Sequence, residues 1–157
     1  MRLVNRLALV VMMGYAALVL LPSSIWYEPG VPVFRDAQLG ESPDVEFFRE
    51  IKIASSIKYS VIVRVVGTND VVCDAVGGPF TYKPTLGPLK DKDLAWWAPS
   101  DPRCSMLPVG EYWAETTWTI VNPIGELLPD ILRPIGSLVP SKRVTQIGPP
   151  FSITSIE

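Results

Sequence analysis

Five carboxylates, Asp91, Asp93, Asp101, Glu111 and Glu115, fall within one short stretch and are the residues of this chain best suited to acid–base chemistry. Two of them could flank a glycosidic bond, or several could supply oxygen ligands to calcium. Their spacing follows no calcium-loop pattern, and a charge-bearing turn is ordinarily just solvated. The chain has no histidine, which removes Ser-His-Asp and Cys-His catalysis and the usual zinc sites together. Gly77-Gly78 lacks the following Lys-Ser/Thr and helix of a phosphate-binding loop and reads as a turn. No catalytic residue, metal or cofactor is expected, and a small carboxylate-dependent hydrolase stands as an alternative.

Aromatic side chains offer a different chemistry. If Leu94 to Ala98 is extended, neighbours face opposite ways, so one of Trp96 and Trp97 points outward, as does Trp113 if Tyr112 faces in. With Tyr82 they could form a stacking platform for sugar rings or cell-wall glycan. The alternative is that other parts of the chain, or a neighbouring subunit, cover them.

The element that decides where such groups operate is at the start of the chain. Leu7 to Leu21 is a charge-free apolar run, preceded by Arg2 and Arg6 and followed by Pro22 and by Ile25, Trp26 and Tyr27. Counted through Tyr27, it reaches the length of a membrane span with interfacial aromatics at its end, so membrane lipid is an expected contact of residues 7–27. A secretory signal shares the positive start and apolar middle, but small residues are poorly placed for cleavage here. The expectation is a single-pass anchor or uncleaved signal over 1–27, with the amino terminus cytoplasmic and the rest periplasmic or extracellular. Cys73 and Cys104 then lie in an oxidising compartment and pair most simply as a disulfide, the alternative being two buried thiols.

Beyond Tyr27 there are 16 acidic and 12 basic residues. That balance argues against nucleic acid as a partner. No Lys/Arg cluster adjoins the apolar run in sequence, so none is expected to hold anionic lipid. After a linker over 28–43, residues 44–157 are enough for one core. Period-two patterns recur there. Ile57, Tyr59, Val61, Val63 and Val65 form the clearest strand, preceded by one over Val45 to Ile53. Tyr112, Ala114, Thr116, Trp118 and Ile120 share one face of another. Shorter strands are expected at Val71 to Val76, Pro79 to Tyr82 and Leu94 to Ala98, with turns at Gly77-Gly78, at Gly87-Pro88 and at Lys90 to Asp93. A last strand from Val144 to Ile153 is interrupted at Gly148-Pro149-Pro150. The fold class implied is all-β, an antiparallel β-sandwich.

Leu107-Pro108-Val109-Gly110-Glu111-Tyr112 resembles the approach to the penultimate strand of immunoglobulin-like and fibronectin type III sandwiches. There a Pro/Gly turn leads to a Tyr whose hydroxyl bonds back to the preceding loop. The resemblance implies an immunoglobulin-like sandwich and a structural role for Tyr112, and it implies no function. Cys104 precedes this strand instead of lying within it, so the antibody-type disulfide is not reproduced.

Between the last two strands lies an apolar, proline-rich insert, 122–142, in which Pro123-Ile124-Gly125-Glu126-Leu127-Leu128-Pro129 is echoed by Pro134-Ile135-Gly136-Ser137-Leu138-Val139-Pro140. Connections this long and apolar need a reason. Either Ile124, Leu127, Leu128, Ile131, Leu132, Ile135 and Leu138 fold back onto the sandwich, or they stay exposed and bind a partner. A protein partner or self-association is therefore expected. The sequence as a whole points to a membrane-anchored, non-enzymatic interaction or structural module, a subunit of a membrane or envelope assembly, with a carbohydrate- or cell-wall-binding module as the alternative.

Overall fold

A computed structural model describes residues 2–121 and 140–155, and the protein is predominantly β, with two facing sheets. A long helix, α1 (Arg2–Leu20), is followed by a 3₁₀ turn, Ser23–Ile25. Four strands, β1 (Tyr27–Pro29), β2 (Val33–Phe34), β4 (Asp44–Ile51) and β7 (Thr85–Asp93), build the first sheet. The central β4 pairs with β1 and β2 along one edge and with β7 along the other, all antiparallel. The second sheet runs in the order β6 (Val71–Tyr82), β5 (Ser55–Val65), β8 (Gly110–Ile120), β10 (Phe151–Thr154) and β3 (Ala37–Gln38), and β9 (Lys142–Ile147) joins β8 beside β10. Its one parallel pair among the described residues is β10 with β3.

The expected alternation sets the faces. Ile57, Tyr59, Val61 and Val63 of β5 and Tyr112, Ala114, Thr116, Trp118 and Ile120 of β8 are all buried. Opposite them, β4 turns Val45, Phe47 and Ile51 inward. The layer between is largely aromatic. Trp118 lies 5.3 Å from Phe47, 5.4 Å from Tyr59, 5.7 Å from Trp97 and 5.8 Å from Tyr27, centroid to centroid. These tilted and edge-on contacts are the arrangements that the ring quadrupoles favour.

The structure corrects several expectations. The apolar run does not continue as one span to Tyr27. Its helix stops at Leu20, before Pro22, which cannot extend it. Trp26 and Tyr27 are not interfacial aromatics; each is 2% exposed and sits in the core, with Tyr27 paired to Ile51. The stretch 28–43, expected as a linker, contributes three short strands, first to one sheet and then to the other.

Leu94–Trp97 is a helical turn, α2, and not a strand. The Asp93 carboxylate accepts from the Trp96 backbone N–H at 2.7 Å as an N-cap, and Leu94 and Trp97, three apart, both point inward. Gly77-Gly78 is not a turn but part of the continuous strand β6, at a bulge opposite Ile57 and Tyr59. A side chain at Gly77 would overlap the Tyr59 ring, and Gly78 has φ +91°. Glycine is thus required inside this strand for close approach and for a backbone that other residues resist. Gly87-Pro88 and Lys90 to Asp93 are likewise part of strand β7, which pairs with β4 across a register shift between Leu89 and Lys92. β7 pairs only with β4 among the described residues, and an edge position tolerates proline.

Because Trp118 touches both sheets, Trp118→Ala should cost about 3–5 kcal/mol of unfolding free energy, read as a lower midpoint in urea denaturation.

Candidate functional site

The expected disulfide is formed. Cys73 of β6 is bonded to Cys104 of a 3₁₀ turn, Pro102–Ser105, with their Cα atoms 5.2 Å apart. Next to it, Asp101 is occupied with structure. Its carboxylate accepts from the Asp74 N–H at 2.9 Å, from the Arg103 N–H at 3.1 Å and from the Arg103 guanidinium at 2.7 Å. These donors hold its pKa well below the usual carboxylate range, the Arg103 side chain contributing most. The Ser100 hydroxyl accepts from the Val76 N–H at 2.8 Å. Asp74 and Val76 belong to β6, which pairs only with β5 among the described residues. Residues 100–104 therefore cover part of an open sheet edge, which otherwise invites pairing with another chain. Cys73, Cys104 and Asp101 cluster closely enough to suggest metal ligation, but both sulfurs are spent in the disulfide.

Among the described residues, Asp93, Glu111 and Glu115 are not gathered into one site. Asp93 caps α2. Glu111 and Glu115 share the outer side of β8, where four residues of strand separate them by about 13 Å. The Asp91 side chain lies outside the described residues. A shallow open pocket of about 400 Å³ is lined by Asp44, Lys92, Asp93 and Trp96.

Of the proposed platform, Trp97 is buried and Trp96 is 50% exposed. Tyr82 and Trp113 are half-buried. Each of these three rings is approached by a cation: Lys92 over Trp96 at 4.7 Å, Arg49 over Tyr82, which packs against the core, at 5.2 Å and Arg64 over Trp113 at 5.9 Å. Cation–π contact occupies one side of each ring. Tyr82, Trp96 and Trp97 line one small pocket together with Phe47, Arg49, Leu89 and Trp118, whereas Trp113 lies apart on the outer side of β8. The Tyr112 hydroxyl donates to the Pro108 carbonyl at 2.7 Å, the bond back to the preceding loop that the sequence suggested. The apolar positions Ile124, Leu127, Leu128, Ile131, Leu132, Ile135 and Leu138 lie outside the described residues.

Among the described residues the largest exposed apolar element is α1. Val10, Val11, Met12 and Met13, successive residues at 100° steps around the axis, are between 60 and 70% exposed, so no side of this helix is turned to the sandwich there. Among the described residues no helix is long and apolar enough to cross a membrane. The charge-free run rises only about 22 Å, against a hydrocarbon core of about 30 Å. The exit of α1 is tied to the domain. Leu21 packs on the core, the Lys142 ammonium donates to the Val19 carbonyl, and the Lys52 ammonium donates to the Ser24 carbonyl at 2.9 Å. These lysines satisfy carbonyls that a helix end leaves open. Nothing local in the sequence marks them, because residue 52 lies in a turn between strands and residue 142 opens a strand far along the chain. No protein-family model, curated protein or solved structure matches this chain.

Replacing both cysteines with alanine should lower stability by about 3–4 kcal/mol, for a closed loop of 31 residues, seen as a shifted denaturation midpoint in oxidising buffer only. The pKa of Asp101 is depressed on folding, so its contribution is present above the unfolded carboxylate value, about 3.9, and is lost as pH falls through the lower folded value. Asp101→Asn should therefore be less stable than the parent at neutral pH, with the gap narrowing below about pH 4 in acid titration of the unfolding midpoint.

Proposed function

We propose that the protein is a membrane-attached, non-enzymatic interaction module whose sandwich works outside the cytoplasm as a subunit of a membrane or envelope assembly. The observation that carries this reading is α1, apolar, more than half exposed at Val10 to Met13 and tied to the domain at its exit. A helix that is hydrophobic all round belongs in an apolar surrounding. Its whole length rises about 28 Å, so it reaches across a bilayer only with Arg2 and Arg6 drawn to the headgroups and modest thinning of the lipid. Their position at the amino end orients that end to the cytoplasm. The Cys73–Cys104 disulfide supports an oxidising compartment for the sandwich.

We further read the sandwich as immunoglobulin-like. Support comes from the strand order β1/β2-β4-β7 facing β6-β5-β8-β9/β10-β3, from the amino-terminal segment that crosses from one sheet to the other, and from the Tyr112 bond at the start of β8. That fold by itself assigns no activity. Glycan binding is the rival reading, supported by Trp96 beside Asp44 and Asp93 and opposed by Lys92 lying over its ring.

Attachment is tested by alkaline carbonate extraction of membranes from cells making the full chain. The parent should stay in the membrane pellet, and a variant with Leu9, Val10, Val11 and Met12 changed to Ser should move to the supernatant with its sandwich still resistant to protease. A parent released by carbonate would overturn the reading.

A further inference from the structure

Charge on this domain is sorted along its long axis, although the sequence shows no cluster. Register fixes the two ends. Tyr27 pairs with Ile51, Ile51 with Thr85, Ser55 with Tyr82 and Ile57 with Ile120, so all these residues lie at the end where α1 leaves. In that half sit Arg49, Lys52, Lys58, Lys83, Lys142 and Arg143, against Glu28 and Glu50 among the described residues. Carboxylates crowd the other half, where Asp36, Asp44, Asp70, Asp93, Asp101 and Glu111 lie. The cations described there are engaged: Arg35 with Glu46 at 3.1 Å, Arg103 with Asp101 at 2.7 Å, and Arg64 and Lys92 with aromatic rings.

At the α1 end the situation differs. Lys52 bridges Glu28 at 3.7 Å and Glu50 at 3.5 Å, but Lys58, Lys83 and Arg143 are exposed and make no ion pair among the described residues. Lys58 and Arg143 flank Thr119 from the two neighbouring strands, so they form one outward row across the sheet. Ile25, Phe80 and Leu86, exposed by 42, 46 and 69%, lie at this same end.

We propose that the α1-proximal end of the sandwich, through Lys58, Lys83 and Arg143 with the apolar Ile25, Phe80 and Leu86 among them, seats on the anionic lipid headgroups that surround the inserted helix. The inference rests on the attachment reading above. A domain tethered at Leu21 keeps this end towards a bilayer that α1 has entered, and headgroup charge acts most strongly within roughly one Debye length, about 8–10 Å. Apolar side chains between the cations suit the headgroup boundary, where aromatic and aliphatic groups settle beside basic ones. The acidic far end, repelled by the same surface, would keep the long axis upright. Sequence order hides the arrangement because Lys58, Lys83 and Arg143 come from three separate segments.

The test uses the full chain reconstituted in two kinds of vesicle, phosphatidylcholine alone and phosphatidylcholine with phosphatidylglycerol at about 30%. Lysine acylation is read by mass spectrometry, with Lys92 at the far end as internal control. Labelling of Lys58 and Lys83 should fall about fivefold or more in the anionic vesicles relative to the neutral ones, while Lys92 stays unchanged. Salt at about 0.5 M should abolish the protection. A Lys58→Glu, Lys83→Glu, Arg143→Glu variant, checked for an unchanged unfolding midpoint, should lose at least about tenfold of the preference for anionic over neutral vesicles. If the chain enters both vesicle types but Lys58 and Lys83 label alike in each, this inference fails and attachment stands. Failure of the chain to enter either vesicle overturns both. Protection found only in native membranes, and not with phosphatidylglycerol, would assign this end to an acidic protein instead of lipid and overturn the proposal.

Discussion

Trp118 lies where the two sheets meet, and most of the domain is arranged around it. Its ring contacts Tyr27, Phe47, Tyr59 and Trp97. Its indole N–H donates to the Gln146 side-chain carbonyl at 3.1 Å, and the Gln146 amide in turn donates to the Pro29 carbonyl at 2.6 Å. One residue thus fixes β8 against β4, β5 and α2 by area, and against β9 and β1 by a polar relay. The relay spares Trp118 the desolvation cost of an unpaired indole N–H, a cost that the buried indoles of Trp26 and Trp97, with no hydrogen-bond partner among the described residues, do carry. The consequence reaches the amino terminus. Tyr27 and Trp26 are drawn into the core, and that in turn sets where α1 must end.

The short helical turn α2 depends on the same centre. Trp97 packs against Phe47 at 4.5 Å and Phe34 at 6.3 Å, and its carbonyl accepts from the Tyr59 hydroxyl at 2.8 Å. Burial in this layer pushes the Tyr59 hydroxyl up to about 12, so it stays a protonated donor over any ordinary pH. With Trp97 anchored, Trp96 has to point out, and the chain leaving α2 passes beside β6. There Ser100, Asp101 and Cys104 close part of the sheet edge. Edge protection and core packing are therefore consecutive parts of one loop.

Long-range organisation also separates the charges. Antiparallel register brings the start of β5, the ends of β4, β6 and β8 and the start of β9 to one end of the molecule. Cations that stand singly in the sequence become neighbours there, and two of them, Lys52 and Lys142, hold the carbonyls of the departing amino-terminal segment. The apolar helix and the basic end are thus joined by the fold.

What could be read from sequence was periodic or compositional. Alternation over Ile57 to Val65 and Tyr112 to Ile120 identified two central strands and their inner faces, since a half-buried sheet repeats every two residues. Two cysteines in a segment taken to be extracytoplasmic identified the disulfide, and Pro108 to Tyr112 identified the hydroxyl bond at the start of β8. Local signals misled where a tertiary contact overrode them. Gly77-Gly78 and Gly87-Pro88 look like turns, yet a paired strand absorbs them because its partner supplies the hydrogen bonds. Leu94 to Ala98 looks extended, yet an Asp93 cap and two core anchors curl it. Trp26 and Tyr27 look interfacial, yet both are core, Tyr27 against the Trp118 ring some ninety residues further on. Which cations share an end, and which carboxylates do not share a site, was decided only by pairing register, because distance in space between residues of different strands is not encoded by their distance along the chain.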